Sequence, residues 1–330
     1  MARETAVQSN DQAAAALNDD WDTHLDGSQI GRWAQRFGSR LARERDAAVT
    51  ASEGGVRPPA PANPPELLVL GVDGGRVQMR DKDPETESRW KEDKVLTATS
   101  YLKGDGSDRE PEPLVTTHAA TMEKTEQFGR IARLEAERRG WRYAKEVILI
   151  ADCGNWIDPL VDREFGEISQ RIADWCHADE HVHDAARAAC ENQPATQAHA
   201  LAEKWSTLLW DGHVKQLIAE LSSHCTRSGL PQKQDGPESA RRILHQNLGY
   251  FEKNQAHMDY PAYRAKGWPI GSGNTEAGVK QLNKRVKGTE QFWNPKGIEA
   301  MLNLRAMYLS QDGRWAAYWA SRPAYEKRAA

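Results

Sequence analysis

The stretch ELLVLGVDGGRVQMR, residues 66–80, carries the first readable element of the chain. Its leucines and valines form an unbroken apolar run of the kind that a buried strand shows. The pair Gly74–Gly75 then reads as a turn into a second strand. On this reading Asp73 ends the first strand and projects from the edge of a rigid sheet. A second stretch, EVILIADCGNWI (146–157), repeats the pattern: an apolar run, then Asp152, then a glycine-containing turn. A single strand-end aspartate is usually a turn former. Two in the same context can converge from one sheet edge.

Working outward, WKEDKVLTATSYL (90–102) reads as a further strand. EKTEQFGRIARLEAERRG (123–140) reads as a helix with Gly140 as its stop, and EISQRIADWCHA (167–178) as a strand that ends near Asp174. Strands, a helix and more strands make an α/β or α+β core with a mixed sheet. From residue 178 to about 265 the pattern is almost entirely helical, as in LAEKWSTLLWDGHVKQLIAELSSH (201–224), broken by the polar loop SGLPQKQDGPES (228–239). Near the front, SQIGRWAQRFGSRLARERD (28–46) reads as an amphipathic helix capped by Ser28. Ile30, Trp33, Phe37 and Leu41 share one face; Arg32, Arg36, Arg40 and Arg43 share another. Residues 1–24 show no clear pattern. SEGGVRPPAPANPP (52–65) reads as a linker, and no internal repeat is visible.

Composition excludes several classes. The 330 residues carry a net charge of −4, so no global basicity announces a polyanionic partner. Mean hydropathy is −0.76, no run of eighteen apolar residues exists, and the N-terminus has no apolar signal core. A cytoplasmic location is the expectation. The four cysteines form no C-x-x-C pair, which argues against a cysteine zinc knuckle or a disulfide framework.

A third acid stands in IGSGNTEAGVKQ (270–281), where a Gly-Ser-Gly turn runs into a basic helical segment headed by Glu276. A carboxylate in a first turn is favoured by the helix dipole alone. Together with Asp73 and Asp152, however, it completes a set of carboxylates suited to hard divalent cations such as Mg²⁺. Two such ions about 3.5–4 Å apart can drive phosphodiester transfer. Lys280, Lys284 and Lys287 fall within about 80° of Glu276 on the helix, while Val279, Leu282 and Val286 cluster on a face that can pack on the sheet. Residues 260–310 are locally basic, and such a stripe neutralises phosphates without reading sequence.

The blocks GVDGGRV, WKEDKV, VILIADCGNWI, IADWCHADEHV, YRAKGWPIGSGNTEAGVKQ and LRAMYLSQDGRW, in that order over residues 66–320, resemble the Kra-type insertion-sequence family of bacterial DDE transposases. The G-S-G-x-x-E turn with its upstream YRAKGWPI is the most specific of them. The resemblance implies an α/β fold of ribonuclease H-like type: a mixed sheet with flanking helices and an all-helical insertion between the second Asp and the Glu. It implies Asp73, Asp152 and Glu276 as catalytic metal ligands for Mg²⁺ or Mn²⁺, as two ions, with Asp174 and His177 as the supporting D-x-x-H pair. It also implies DNA as partner, both element ends and target, with a homodimer or larger synaptic complex on DNA in the nucleoid and no membrane. Lys280, Lys284, Lys287 and Arg285, with Arg32 and Arg36 at the front, are the expected DNA contacts.

The corresponding division of the chain is a helical N-terminal remnant of a DNA-binding region (1–55), a linker (56–65), the first part of the catalytic domain (66–177), the insertion (178–265) and the rest of the catalytic domain (266–330). The front departs from the family, because 28–46 resembles only the last part of a helix-turn-helix and a truncated copy is the expectation.

Three other readings compete. HADEH (177–181) spells H-x-x-E-H, an inverted zinc-peptidase pattern with His177 and His181 as ligands and Glu180 as base. A transposase remnant that only binds DNA is a second. A structure-specific nuclease on the same fold is a third, and the helical insertion favours the transposase over it.

Overall fold

The computed structural model describes residues 1–104, 111–154, 156–166, 168, 170–288 and 291–322. Three helices open the chain: α1 (Ala2–Val7), α2 (Asn10–Trp21) and α3 (Gly27–Glu53). The patternless reading of residues 1–24 is therefore corrected. What it overlooked is the capping box at Ser9, whose hydroxyl accepts from Gln12 N–H while the Gln12 side chain accepts from Ser9 N–H. The cap of α3 is likewise Asp26 with Gln29 rather than Ser28.

The sheet follows: β1 (Leu67–Gln78), β2 (Trp90–Tyr101), β3 (Pro113–Thr121), then α4 (Thr125–Arg138), β4 (Glu146–Ala151), α5 (Ile157–Phe165) and β5 (Gln170–Ala173). Its order is β3-β2-β1-β4-β5, an antiparallel meander extended by two parallel strands. This mixed five-stranded α/β arrangement is compatible with a ribonuclease H-like fold. Strand β3 went unread in the sequence, because EPLVTTHAAT lacks the long apolar run that marks β1 and β4.

Gly74 and Gly75 do not form a turn: β1 runs straight through them and pairs with β2 from Leu67↔Tyr101 to Gln78↔Trp90. Asp73 thus lies within a twelve-residue strand, not at its end. The glycines are there for space. A Cβ on Gly75 would overlap Asn283, and one on Gly74 would come within 2.7 Å of Glu92.

Beyond β5 the described elements are helical: α6 (Trp175–Ala189), α7 (Ala195–Trp210), α8 (Val214–Ser228), α9 (Ala240–Asn254), α10 (Tyr260–Ala265), α11 (Gly273–Val286), α12 (Pro295–Leu309) and α13 (Arg314–Ala320). Side chains alternate across a strand, and the two sheet faces bury different partners. Leu68, Leu70, Val72 and Leu149 pack with Phe128, Ile131, Leu160 and Phe165 of α4 and α5. Leu67, Val69, Ile148, Ile150 and Ile172 pack with α6–α9 residues including Val182, Trp205, Leu221 and Phe251. The far end of the latter face is covered by α11, through Val279, Leu282 and Val286 against Val77 and Val95.

The N-terminal helices are bound into this body. A Cβ on Gly38 of α3 would overlap the Ala300 backbone of α12, and Arg45 Nη1 donates to Glu299 Oε1 at 2.8 Å and Asn303 Oδ1 at 2.9 Å. Among the described residues no helix is long and apolar enough to cross a membrane.

Candidate active site

Three aspartates occupy equivalent places on adjacent parallel strands. The β1–β4 pairing ends at Val72↔Ala151 and the β4–β5 pairing at Ala151↔Ala173. Asp73, Asp152 and Asp174 are each the next residue. Because all three lie one step past a shared rung, they project to one face, beside the carboxyl ends of the parallel strands. That is where open α/β sheets place their ligand sites. The parallel pairing, rather than the end of β1, defines the edge.

Helix α11 brings Glu276 to the same place. A Cβ on Gly71 would overlap Thr275 Oγ1, so the bare glycine backbone lets the first turn of α11 lie directly on β1. Thr275 Oγ1 shares a hydrogen bond with Thr97 Oγ1 at 2.8 Å, and Asn274 Nδ2 donates to Thr99 Oγ1 at 2.7 Å. The preceding turn is tied to the sheet edge: Ser272 N–H donates to Asp174 Oδ1 at 2.7 Å, and Trp175 N–H to Ile270 O at 3.0 Å. These anchors around the Gly-Ser-Gly turn hold Glu276 next to the aspartates.

The electrostatics follow from crowding. Burial pushes the Asp73 carboxyl above its ordinary range, and the charges of Asp152 and Glu276 add to that, against the Gly74 N–H and His177. Asp174 is fully buried. Burial works to raise its carboxyl, but the bonds from His177 and from Ser272 N–H outweigh it and hold the group below the usual range. His177 Nδ1 bonds Asp174 Oδ2, and this bond foremost lifts the imidazole to about 9 despite partial burial. Asp174 and His177 therefore form a charged pair beside the acids. Asp174, His177 and Glu276 offer potential ligand atoms within 4.8 Å of one another.

The carboxylates differ in what they leave free. Asp73 Oδ1 accepts Gly74 N–H (2.6 Å), Asp152 Oδ1 accepts Gly154 N–H (3.1 Å) and Glu276 Oε2 accepts Lys280 Nζ (2.9 Å). Among the described residues each of the three keeps its second oxygen unbonded. Asp174 spends both oxygens on Ser272 and His177. Asp174 is thus engaged in holding the turn and the imidazole, while Asp73, Asp152 and Glu276 each keep an oxygen open. Among the described residues the ligand atoms within 4.8 Å of one another are those of Asp174, His177 and Glu276, and not the Asp73–Asp152–Glu276 set that the sequence suggested.

The basic residues divide. Lys284 and Lys287 are exposed, as are Arg32 and Arg36; Lys287 Nζ lies 5.5 Å from the centroid of the Trp90 ring. Lys280 is exposed but paired with Glu276. Arg285 is a correction. It is 4% exposed, donates to Thr5 O at 3.0 Å and Asn10 Oδ1 at 2.9 Å, and so joins α11 to the N-terminal helices instead of facing solvent. The helical period places residue 285 between the buried positions 282 and 286, which the basic count alone obscured.

The structure does not bring the HADEH residues together as a zinc set. His177 Nδ1 bonds Asp174, whereas His181 Nδ1 faces Asn247 Oδ1 at 2.6 Å and its ring stacks on Tyr250 with centroids 3.8 Å apart. Neither His181 nor Glu180 belongs to the cluster around His177. Asp158, a further acid six residues after Asp152, is buried and paired with Arg171 and Lys253.

One acid escaped the sequence reading. Asp93 opposes Gly75, two residues along the same face from the Asp73↔Val95 pair, and is wholly buried. Neither carboxylate oxygen has a hydrogen-bond partner among the described residues, and burial raises the group to about 6. Its place in the polar run KED gave no sign of burial.

No protein-family model matches the chain, and no curated protein does. A solved structure of a Drosophila P element transposase strand transfer complex aligns with 76% of this chain and 78% of that chain at 10% identity, with a TM-score of 0.33. At that level the likeness decides neither fold nor activity.

Proposed function

We propose that this chain is a DDE transposase of the Kra-type insertion-sequence kind, catalysing metal-dependent cleavage and strand transfer of DNA. What supports the reading is that Asp73 on β1 feels the charges of both Asp152, in the loop after β4, and Glu276, in the first turn of α11, beside the same sheet edge. Their unbonded oxygens would hold Mg²⁺ or Mn²⁺. A pair of such ions, when bound, supplies activation of the attacking oxygen and stabilisation of the leaving one. The carboxylates repel one another without cations, and Lys280 offsets the charge of Glu276. His177, cationic and oriented by Asp174, offers a donor to a phosphate oxygen beside the acids. Lys284, Lys287, Arg32 and Arg36 would neutralise backbone phosphates.

On this reading residues 66–177 and 266–330 form the catalytic unit, 178–265 the helical insertion, and 1–55 a DNA-binding region whose helices pack on α11 and α12. The working form is a homodimer or larger complex on DNA in the nucleoid. The test is incubation of the protein with duplexes carrying the element's own ends and Mg²⁺ or Mn²⁺. Cut and joined products are expected; intact duplex under every metal would remove the reading.

A further inference from the structure

Tyr250, on α9, carries a buried phenol oxygen with no hydrogen-bond partner. Leaving a buried hydroxyl unpaired is costly, and such groups mark places where a partner arrives. Its ring is held on one side by the stack on His181, which Asn247 fixes in turn. His181 lies one helical turn beyond His177 on α6, so the stack sits beside the face that carries the Asp174–His177 pair. The ring packs on the core cluster that includes Cys153 and Ala173, the residues flanking Asp152 and Asp174.

We propose that Tyr250 is a positioning residue of the acid cluster, donating its phenol hydrogen to the free oxygen of Asp152 when that carboxylate engages a divalent cation. Asp174 is the more occupied acceptor, with Oδ2 taking both His177 N–H and Nδ1 and Oδ1 taking Ser272 N–H. Asp152 has one oxygen left. Burial, with Cys153, Asp174 and Asp152 adding to it, pushes the phenol far up, so it stays protonated and acts only as a donor. The helical insertion thereby completes the site: α6 and α9 together orient a ligand that β4 supplies. His181, the residue left over from the H-x-x-E-H pattern, serves as the support for that ring. The inference rests on the metal-site reading above, and not on any particular DNA reaction.

The test reads metal affinity directly. Mn²⁺ binding is followed by electron paramagnetic resonance in the parent, Tyr250→Phe and Asp152→Asn, with melting of each metal-free protein as the folding control. Hydrogen bonds to ligating carboxylates are worth about 10- to 100-fold in metal affinity or activity. Tyr250→Phe is expected to weaken Mn²⁺ by about 10-fold with its metal-free melting temperature unchanged or raised. His181→Leu should weaken Mn²⁺ similarly, and His181→Phe, which keeps the stack, should restore it. Equal Mn²⁺ affinity in Tyr250→Phe and the parent overturns the proposal, and so does a parent with no Mn²⁺ site that Asp152→Asn removes. Normal Mn²⁺ behaviour in a protein that never cuts DNA would leave Tyr250 in place and sink the transposase reading instead.

Discussion

Asp73 and Asp152 stand one residue beyond the same rung, Val72↔Ala151, on neighbouring parallel strands. They are therefore side by side and on one face, and their mutual repulsion contributes to the raised Asp73 carboxyl. A carboxyl with a raised folded-state pKa costs stability as pH rises through that value. Asp73→Asn should raise the metal-free melting temperature at pH 7 by a few degrees, roughly the effect of 1 kcal/mol. Mg²⁺ should raise the parent's melting temperature and not the variant's. Calorimetry with and without Mg²⁺ tests both; a variant that melts lower than the parent would contradict the repulsion.

Asp152→Asn is expected to abolish cleavage, at least 100-fold as an order of magnitude, while DNA affinity changes little. Single-turnover cutting and equilibrium binding on the same duplex separate the two. Wild-type cutting by the variant would exclude Asp152 as a metal ligand.

The Asp174–His177 pair gives a pH signature. The folded-state pKa of His177 is about 9, above the ordinary 6.5. Its stabilisation is therefore complete below about pH 6.5 and fades as pH rises through 9. His177→Ala should melt below the parent at pH 6, and the gap should close by pH 10. A gap that is constant with pH would show that packing, not charge, holds the pair.

The basic residues separate by burial. Alanine at Lys284 and Lys287 should lower duplex affinity equally for unrelated sequences and reduce the salt slope by about one unit per contact. Arg285→Ala should leave the slope alone and destabilise the fold by about 3 kcal/mol, since it strands buried acceptors. Salt titrations of duplex binding, paired with urea melts, distinguish the two classes. An unchanged slope in the Lys284/Lys287 double variant would make the stripe plain surface.

Cys153 adopts φ of 60°, in the left-handed region, directly after Asp152. That conformation costs a β-carbon residue about 1 kcal/mol, a cost glycine escapes. Cys153→Gly should relieve it in urea melts, less what is lost from packing of the buried thiol. Destabilisation beyond about 2 kcal/mol would show that the thiol's packing outweighs the strain.

Much of this was legible from local pattern. Apolar runs marked β1 and β4, the G-S-G-x-x-E turn marked the start of α11, and the helical period assigned Val279, Leu282 and Val286 to the sheet. These features follow from neighbours in the chain: periodic burial, capping and the conformational freedom of glycine. The acids were visible for the same reason, since each directly follows an apolar run or a turn.

What tertiary structure alone decided concerns pairing between distant segments. Gly74 and Gly75 resemble a turn until Asn283 and Glu92 are seen above them; then they are space left within a continuous strand. Arg285 resembles a phosphate contact until Thr5 and Asn10 arrive from the other end of the chain. His177 and His181 resemble a zinc pair until His177 is found in one group with Asp174 and Glu276 and His181 against Asn247 and Tyr250. The residue types and their spacing determined which groups the protein has available; which partner each group meets was set by the register of β1 on β4 and the descent of α11 onto Gly71, because burial and unspent hydrogen bonds exist only once those segments are packed together.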